Sequence, residues 1–401
     1  MQSNILRMAI RATAAVAVLG VAGQASALEL STGDFETSLY GYARLNASYD
    51  IDSDQALSTR SGSYDGLAGN DDAAEGHFGA DAVQTRIGVK TTTPQGVNVT
   101  VEGDFRGGTL RLRHGFGEYK GVLLGQTWSN FTSFVGNTST LDFDSLPGLA
   151  GLQGRVAQAR YTTGPLSIAL EDPNASILGV AEVQEQQIIG GVVTDVGTGA
   201  FEATGLDDTK DSMPAITARL EDSEGGLSYS AAVLAHQVGY DDGSDDESSF
   251  GFATFVAAKM ALTDMITIQG TLSYSDGANS YLYRSGDNFG AESAYVDGSG
   301  DVETISGYGG SLGAGFNLGG GRSINVGYGL VEVDWDDAES DLGSAIVADK
   351  SETNSAIMAN YQWTPVQNVM MGVEYQFLSR ENVDGTDGDA NRILFAAQYN
   401  F

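Results

Sequence analysis

The chain has 401 residues, 53 acidic side chains against 20 Lys and Arg, a formal net charge of −33, and no cysteine. Without cysteine, disulfides, thiolate metal sites and a thiol nucleophile are excluded. The acidic balance excludes a nucleic-acid partner, which needs clustered Lys and Arg to neutralise phosphates, and 41% hydrophobic content is too rich for a chain that stays unfolded.

Residues 1–27 have the pattern of a cleavable signal peptide. Arg7 and Arg11 form a basic start, 12–23 is an apolar run, and Ala25, Ser26 and Ala27 fit the small-x-small pattern of a signal-peptidase site. The apolar run falls short of the roughly 20 residues that a spanning helix needs, so export is expected, with a mature chain beginning near Leu28 and forming one domain, 28–401. Two of the 20 basic residues lie in the leader and none of the 53 acidic ones, which leaves 18 against 53. No later stretch is apolar and long enough for a transmembrane helix, so a membrane has to be crossed by strands.

From Glu36 onward one theme repeats: about ten residues alternating apolar with polar, then a turn signal. In 97–105 one face carries Val97, Val99, Val101, Gly103 and Phe105 and the other Asn98, Thr100, Glu102 and Asp104, which is the period of a half-apolar strand. Such runs fall at 36–48, 82–92, 97–106, 109–119, 121–129, 155–163, 165–172, 214–222, 226–238, 249–262, 265–276, 303–317, 321–335, 352–363, 366–380 and 389–401. The connections alternate in length. Short turns at 93–96, 164–165, 224–226, 263–264, 319–321 and 364–365 take every second place, and long Asp- and Gly-rich loops fill most of the others: 49–81, 130–154, 173–213, 239–248, 277–302, 336–351 and 381–388. One long-loop place, at Gly107 and Gly108, is short.

Short turns at one end and long loops at the other define the all-β fold expected here: a transmembrane antiparallel β-barrel of sixteen strands with short periplasmic turns and long extracellular loops. The sheet has to close because hydrocarbon offers nothing to unpaired strand edges. The last strand places Ile393, Phe395, Ala397, Tyr399 and Phe401 on one face, resembling the terminal strand by which bacterial barrels are recognised for outer-membrane insertion, with Phe401 as the signal. Tyr40, Trp128, Tyr274, Trp335, Trp363 and Tyr375 fall near strand ends, where interfacial aromatic girdles form.

Chemistry concentrates in 86–160, which holds eight basic residues against five acidic ones. In 109–119, Leu110, Leu112 and Phe116 define one face and Arg111 and Arg113 the other. An arginine on the lipid face at mid-bilayer costs about 2–4 kcal/mol, so the arginines are assigned to the lumen. His114 shares the leucine phase and is expected near an interface. Arg44, Arg86, Arg106 and Arg160 repeat the choice on neighbouring strands, giving a basic ladder that favours anions where water is scarce. Pairing with Glu102, Asp104 and Glu118 is the competing role. The acidic runs 241–247, 297–301 and 384–389 offer oxygen ligands but lack the twelve-residue calcium-loop spacing, and read as solvated outer loops. Gly309, Gly310, Ser311, Leu312 and Gly313 match the nucleophile-elbow pattern, but inside a Gly-rich strand rather than at a strand-to-helix turn. His77, His114 and His236 show no metal-ligand spacing. No metal, cofactor or catalytic site is expected.

The residues from Leu110 to Tyr119, Leu123 to Phe131, Gln158 to Tyr161 and Glu171 to Pro173 resemble the DcaP-like outer-membrane porins of Gram-negative bacteria, specifically over about 83–173. The resemblance implies a sixteen-stranded outer-membrane barrel, a homotrimer, and passive uptake of small anionic compounds such as dicarboxylates through an arginine-lined pore, with Arg111, Arg113 and Arg160 as the positions carried over. The coiled-coil extension of some members has no room in 28–35. Loop 130–154 is third by count, the loop that in general porins folds inward and narrows the barrel, and Asp142 and Asp144 are expected to face the arginine wall across that constriction. Expected partners are small polar or anionic solutes, outer-membrane lipid and lipopolysaccharide. Two other classes stay open: a barrel-mounted hydrolase using Ser311 and His114, and a secreted acidic adhesin, which calls for a short repeat that the chain lacks.

Overall fold

A computed structural model of the protein describes residues 28–29, 34–52, 59–69, 75–189, 192–206, 209–210, 212–287 and 289–401. The expected signal segment 1–27 lies outside the described residues. Strands β1 (Glu36–Asp50), β2 (His77–Asp81 continuing as Arg86–Thr92), β3 (Asn98–Asp104), β4 (Arg111–Tyr119), β5 (Val122–Trp128), β6 (Arg155–Thr163), β7 (Leu166–Glu171) and β8 (Ala215–Glu224) form one half of a barrel. The other half is β9 (Leu227–Asp241), β10 (Asp246–Ala261), β11 (Ile266–Asp276), β12 (Ser306–Gly319), β13 (Arg322–Val333), β14 (Ser351–Val366), β15 (Val369–Asn382) and β16 (Asp387–Asn400).

Together they make the closed antiparallel barrel of sixteen strands that the periodicity predicts. Closure is by β1 against β16, from Tyr42 opposite Asn400 to Asp50 opposite Arg392. Phe401 adds a final rung, exchanging backbone hydrogen bonds with Gly41 at 3.0 and 3.1 Å. Every strand edge is thereby paired, as hydrocarbon requires. In β9 the alternation is strict: Ser230, Ala232, Leu234 and His236 are buried, while Tyr229, Val233 and their neighbours face out. Leu45, Val101, Leu112, Leu124, Val256, Leu272, Leu312 and Ile393 extend this outward apolar belt around the barrel, the surface that lipid covers.

Several expectations are corrected. Loops 239–248 and 381–388 shrink to four-residue turns, because β9 and β10 pair as far as Asp241 and Asp246, and β15 and β16 as far as Glu381 and Asp387. Within 173–213 a hairpin forms, Ile177–Ile189 with Val192–Gly205; the polar run 182–187 carries no apolar alternation to signal it. Segment 336–351 holds two short helices, Asp336–Leu342 and Ser344–Val347, the first with Asp336, Asp337 and Glu339 in its opening turn, where the helix dipole favours negative charge. Trp335 is buried against Leu178, Tyr295 and Val333, not in a lipid-facing girdle, and Tyr40 and Trp128 turn to Glu102 and Phe134.

A β-bulge explains the phase error in β4. The register shifts opposite Glu102 and Gly103, so His114 pairs with Glu102 and Phe116 with Thr100. The extra residue at the bulge turns His114 and Phe116 inward, where His114 Nδ1 lies 2.9 Å from Thr127 Oγ1.

Candidate functional site

Three rim segments fold into the lumen. Phe131, Val135 and Ala150 of the 129–154 loop pack on Ala232, Leu234, Ala253 and Phe255 of β9 and β10. Its Leu146 and Leu149 join Tyr64 and Leu67 of the first loop, Tyr283 of the sixth, and Met358 and Leu378 of the wall. A seat free of side chains lets this loop approach: a Cβ on Gly148, whose φ is +69°, would stand 2.4 Å from Gly310 N. Gly309 and Gly310 therefore serve close packing, and Ser311 shares a 2.9 Å hydrogen bond with Thr271 in mid-sheet, far along the sheet from His114 on β4.

Polar staples fix the loop. Glu374 accepts the backbone N–H groups of Leu141 and Asp142 at 2.7 and 3.0 Å. Glu171 accepts the hydroxyl of Ser129 at 2.6 Å. Arg284, fully buried, donates to the carbonyls of Gly62 and Ser145 and stacks over Tyr64, tying the three inward segments together.

The arginines expected at the wall gather on one side, where β3 to β7 are only six to nine residues long. Arg113 is held between Glu102 at 3.0 Å and Asp104 at 2.7 Å. Arg111, still 44% exposed, meets the same Asp104 at 2.6 Å, and Arg86 lies 3.8 Å from Glu102. Arg44 is buried without a carboxylate; it donates to Asn46, Gln398 and the Leu141 carbonyl, and its guanidinium lies 4.3 Å from the Phe143 ring centroid. Arg160 makes no hydrogen bond or ion pair among the described residues, and its Nε is buried without a partner.

The two loop carboxylates stand differently from expectation. Asp144 does not oppose the arginines across a gap but binds Arg106 directly, at 2.7 and 3.2 Å. Asp142 is spent on structure, accepting from the N–H groups of Gly62, Asp144 and Ser145 and from Gln376. Arg60, Arg155, Arg284 and Glu374 are site residues that the sequence did not single out. An acidic residue in the inward phase of Val373, Glu374, Tyr375 and Gln376 is the signal for one, and the apolar Tyr281, Leu282 and Tyr283 inside an outer loop for another.

At the outer rim, Lys210 bridges Asp241 at 3.1 Å and Asp246 at 2.5 Å. Its hydrogen bonds to Asp246 and Asp241 raise the ammonium pKa, and the bond from Lys210 lowers that of Asp241. A lysine thus occupies the oxygens that a calcium reading of 241–247 would need, and no metal-ligating cluster is present among the described residues.

A closed barrel with an apolar belt, a polar interior and loops folded into its lumen defines a channel of the outer-membrane porin class. The chain is similar in structure to the outer membrane channel DcaP of Acinetobacter baumannii, with 26% identity and a TM-score of 0.71 over 92% of this chain and 99% of that one. Two more distant barrels share the fold. They are an anion-selective porin from Comamonas acidovorans (13% identity, TM-score 0.56, 92% of this chain and 100% of that one) and Salmonella typhi OmpF in complex with daunomycin (12%, 0.52, 93% and 100%). No protein-family profile and no characterised protein sequence matches. The likeness to DcaP-like porins carried by residues 83–173 therefore extends over the whole barrel, and the protein is a porin-type channel of the outer membrane.

Proposed function

We propose that this channel favours small anions, carboxylates and dicarboxylates among them. In this reading loop 130–154 is its constriction, and Arg44, Arg86, Arg106, Arg111, Arg113 and Arg160, with Asp142 and Asp144, shape the field there. The observation that carries the reading is a surplus of fixed cations. Arg86, Arg111 and Arg113 share two carboxylates, Glu102 and Asp104, while Arg44 and Arg155 stand against the aromatic rings of Phe143 and Trp128 and pair with neither. In a lumen crowded by loops, with little bulk water to screen it, that surplus lowers the barrier for anions. The acidic rim opposes it, but exposed charges beyond about 8–10 Å are screened at physiological salt.

Liposome swelling tests the proposal. Succinate is expected to enter vesicles holding the protein faster than an uncharged polyol of the same size, and equal or slower entry removes the anion preference.

A homotrimer belongs to the same reading. Strands β3, β5 and β7, of six or seven residues, are shorter than the roughly 9–11 that a tilted spanning strand needs, and a second copy against this wall would keep its turns from lipid. Chemical cross-linking in native membranes should trap three copies; a monomer alone contradicts it. Removal of 1–27 on export is likewise expected, with a mature N-terminus at Leu28 by mass spectrometry.

A further inference from the structure

We infer that Arg155 is the docking point for the permeating carboxylate, more than Arg111 or Arg113 on which the arginine ladder first focuses attention. The inference rests on the anion-channel reading above and names the residue that makes contact. An arginine binds an incoming anion with N–H groups not already committed to the protein. On that criterion the wall arginines differ sharply.

Arg113 is enclosed between Glu102 and Asp104, and Arg111 gives its Nε and one terminal nitrogen to Asp104. Arg106 is forked onto Asp144, and Arg44 directs three nitrogens at an amide pair and a carbonyl. These guanidiniums add to the field with part of the fork already committed to protein acceptors, and Arg86, without a hydrogen bond, stands 3.8 Å from Glu102. Arg155 has no hydrogen bond and no ion pair among the described residues; its Nη1 is buried, and Nε and Nη2, not buried and without a protein acceptor, are the donors left to an incoming anion.

Its position is nonetheless fixed. The guanidinium lies 4.1 Å from the centroid of Trp128. Trp128 in turn packs edge-on against Phe134 of the inward loop at 5.0 Å and His114 at 5.8 Å. Stacking on an aromatic face orients a guanidinium without consuming its N–H groups. Arg155 stands opposite Trp128 at the end of the β5–β6 ladder, so the site sits at the junction of wall and loop. An unpaired donor held there costs stability unless water or an anion meets it. Arg160, equally uncommitted, lies five residues further along β6 toward the short turn at 164–165, roughly 17 Å away, and offers the next contact on the way through.

The test separates contact from field, because removing any one arginine changes the net charge equally. In planar bilayers, the succinate concentration that halves the KCl current is expected to rise about ten-fold in Arg155→Ala, but to stay within about two-fold of wild type in Arg111→Ala. Arg155→Lys keeps the charge and the aromatic contact but loses the fork. It is expected to keep the wild-type reversal potential, which also certifies an assembled barrel, while binding succinate several-fold more weakly. An unchanged half-blocking concentration in both Arg155 variants, or an equal rise in Arg111→Ala, overturns the assignment. A wild-type channel without anion preference in its reversal potential sinks the underlying reading and the assignment with it. A preference that survives with Arg155 indifferent sinks the assignment alone.

Discussion

Replacing Glu374 by Gln should release the constriction loop without dismantling the barrel. Glu374 is fully buried on β15. One carboxylate oxygen accepts the Leu141 N–H (2.7 Å) and Asn360 Nδ2 (2.8 Å), and the other accepts the Asp142 N–H (3.0 Å) and Gln376 Nε2 (2.9 Å). In Glu374→Gln one of these acceptors becomes an NH2 group facing two donors. Two buried donors then lose their partner, at about 1–3 kcal/mol each, and partial relaxation of the Gln376 amide leaves a net cost of about 2–4 kcal/mol. That cost falls on the loop contact and not on the β15 ladder, whose backbone pairing is untouched. Single-channel recording should show a larger and noisier conductance, with the folded barrel retained as a heat-modifiable band on electrophoresis. Conductance and noise identical to wild type would refute the view that Glu374 holds the loop.

Gly148→Ala combines a positive φ with a Cβ 2.4 Å from Gly310 N; it should unseat the same loop and raise conductance, and a variant indistinguishable from wild type argues against the glycine seat. Arg392 and Asp50 form a buried ion pair across the β1–β16 seam. Arg392→Ala leaves Asp50 buried and uncompensated, at about 3–5 kcal/mol, and should lower the temperature at which the folded band disappears. Deleting Phe401 removes the last rung against Gly41 and is expected to reduce outer-membrane assembly, measured as the fraction of heat-modifiable protein; full assembly would dismiss it as an insertion signal.

Where each strand faces lipid on one side and the interior on the other, the alternation in the sequence is enforced by two solvents at once, and sixteen strands could be counted from it. The β1–β16 closure and the outward face of Ile393 and Tyr399 were legible for that reason. The phase of His114 was not, since one extra residue at a bulge inverts the face of everything after it and leaves no composition mark. The turns at 242–245 and 383–386 were overestimated because strand ends beyond the membrane carry polar residues on both faces. At the site, the arginines were visible as charges out of place in a greasy pattern. Their partners were not: whether Asp144 opposes Arg106 across a gap or touches it depends on how loop 130–154 seats on Gly309 and Gly310, a packing relation between segments some 160 residues apart. Arg155 was hidden most fully, because its distinction lies in the hydrogen bonds that it does not make.

The most direct test of the account is the reversal potential of the purified protein in a planar bilayer under a KCl gradient. A potential displaced toward the chloride equilibrium value is the predicted result, with stepwise conductance marking an open channel. Displacement toward the potassium value would mean that the acidic rim outweighs the arginine wall, and would contradict the proposed selectivity.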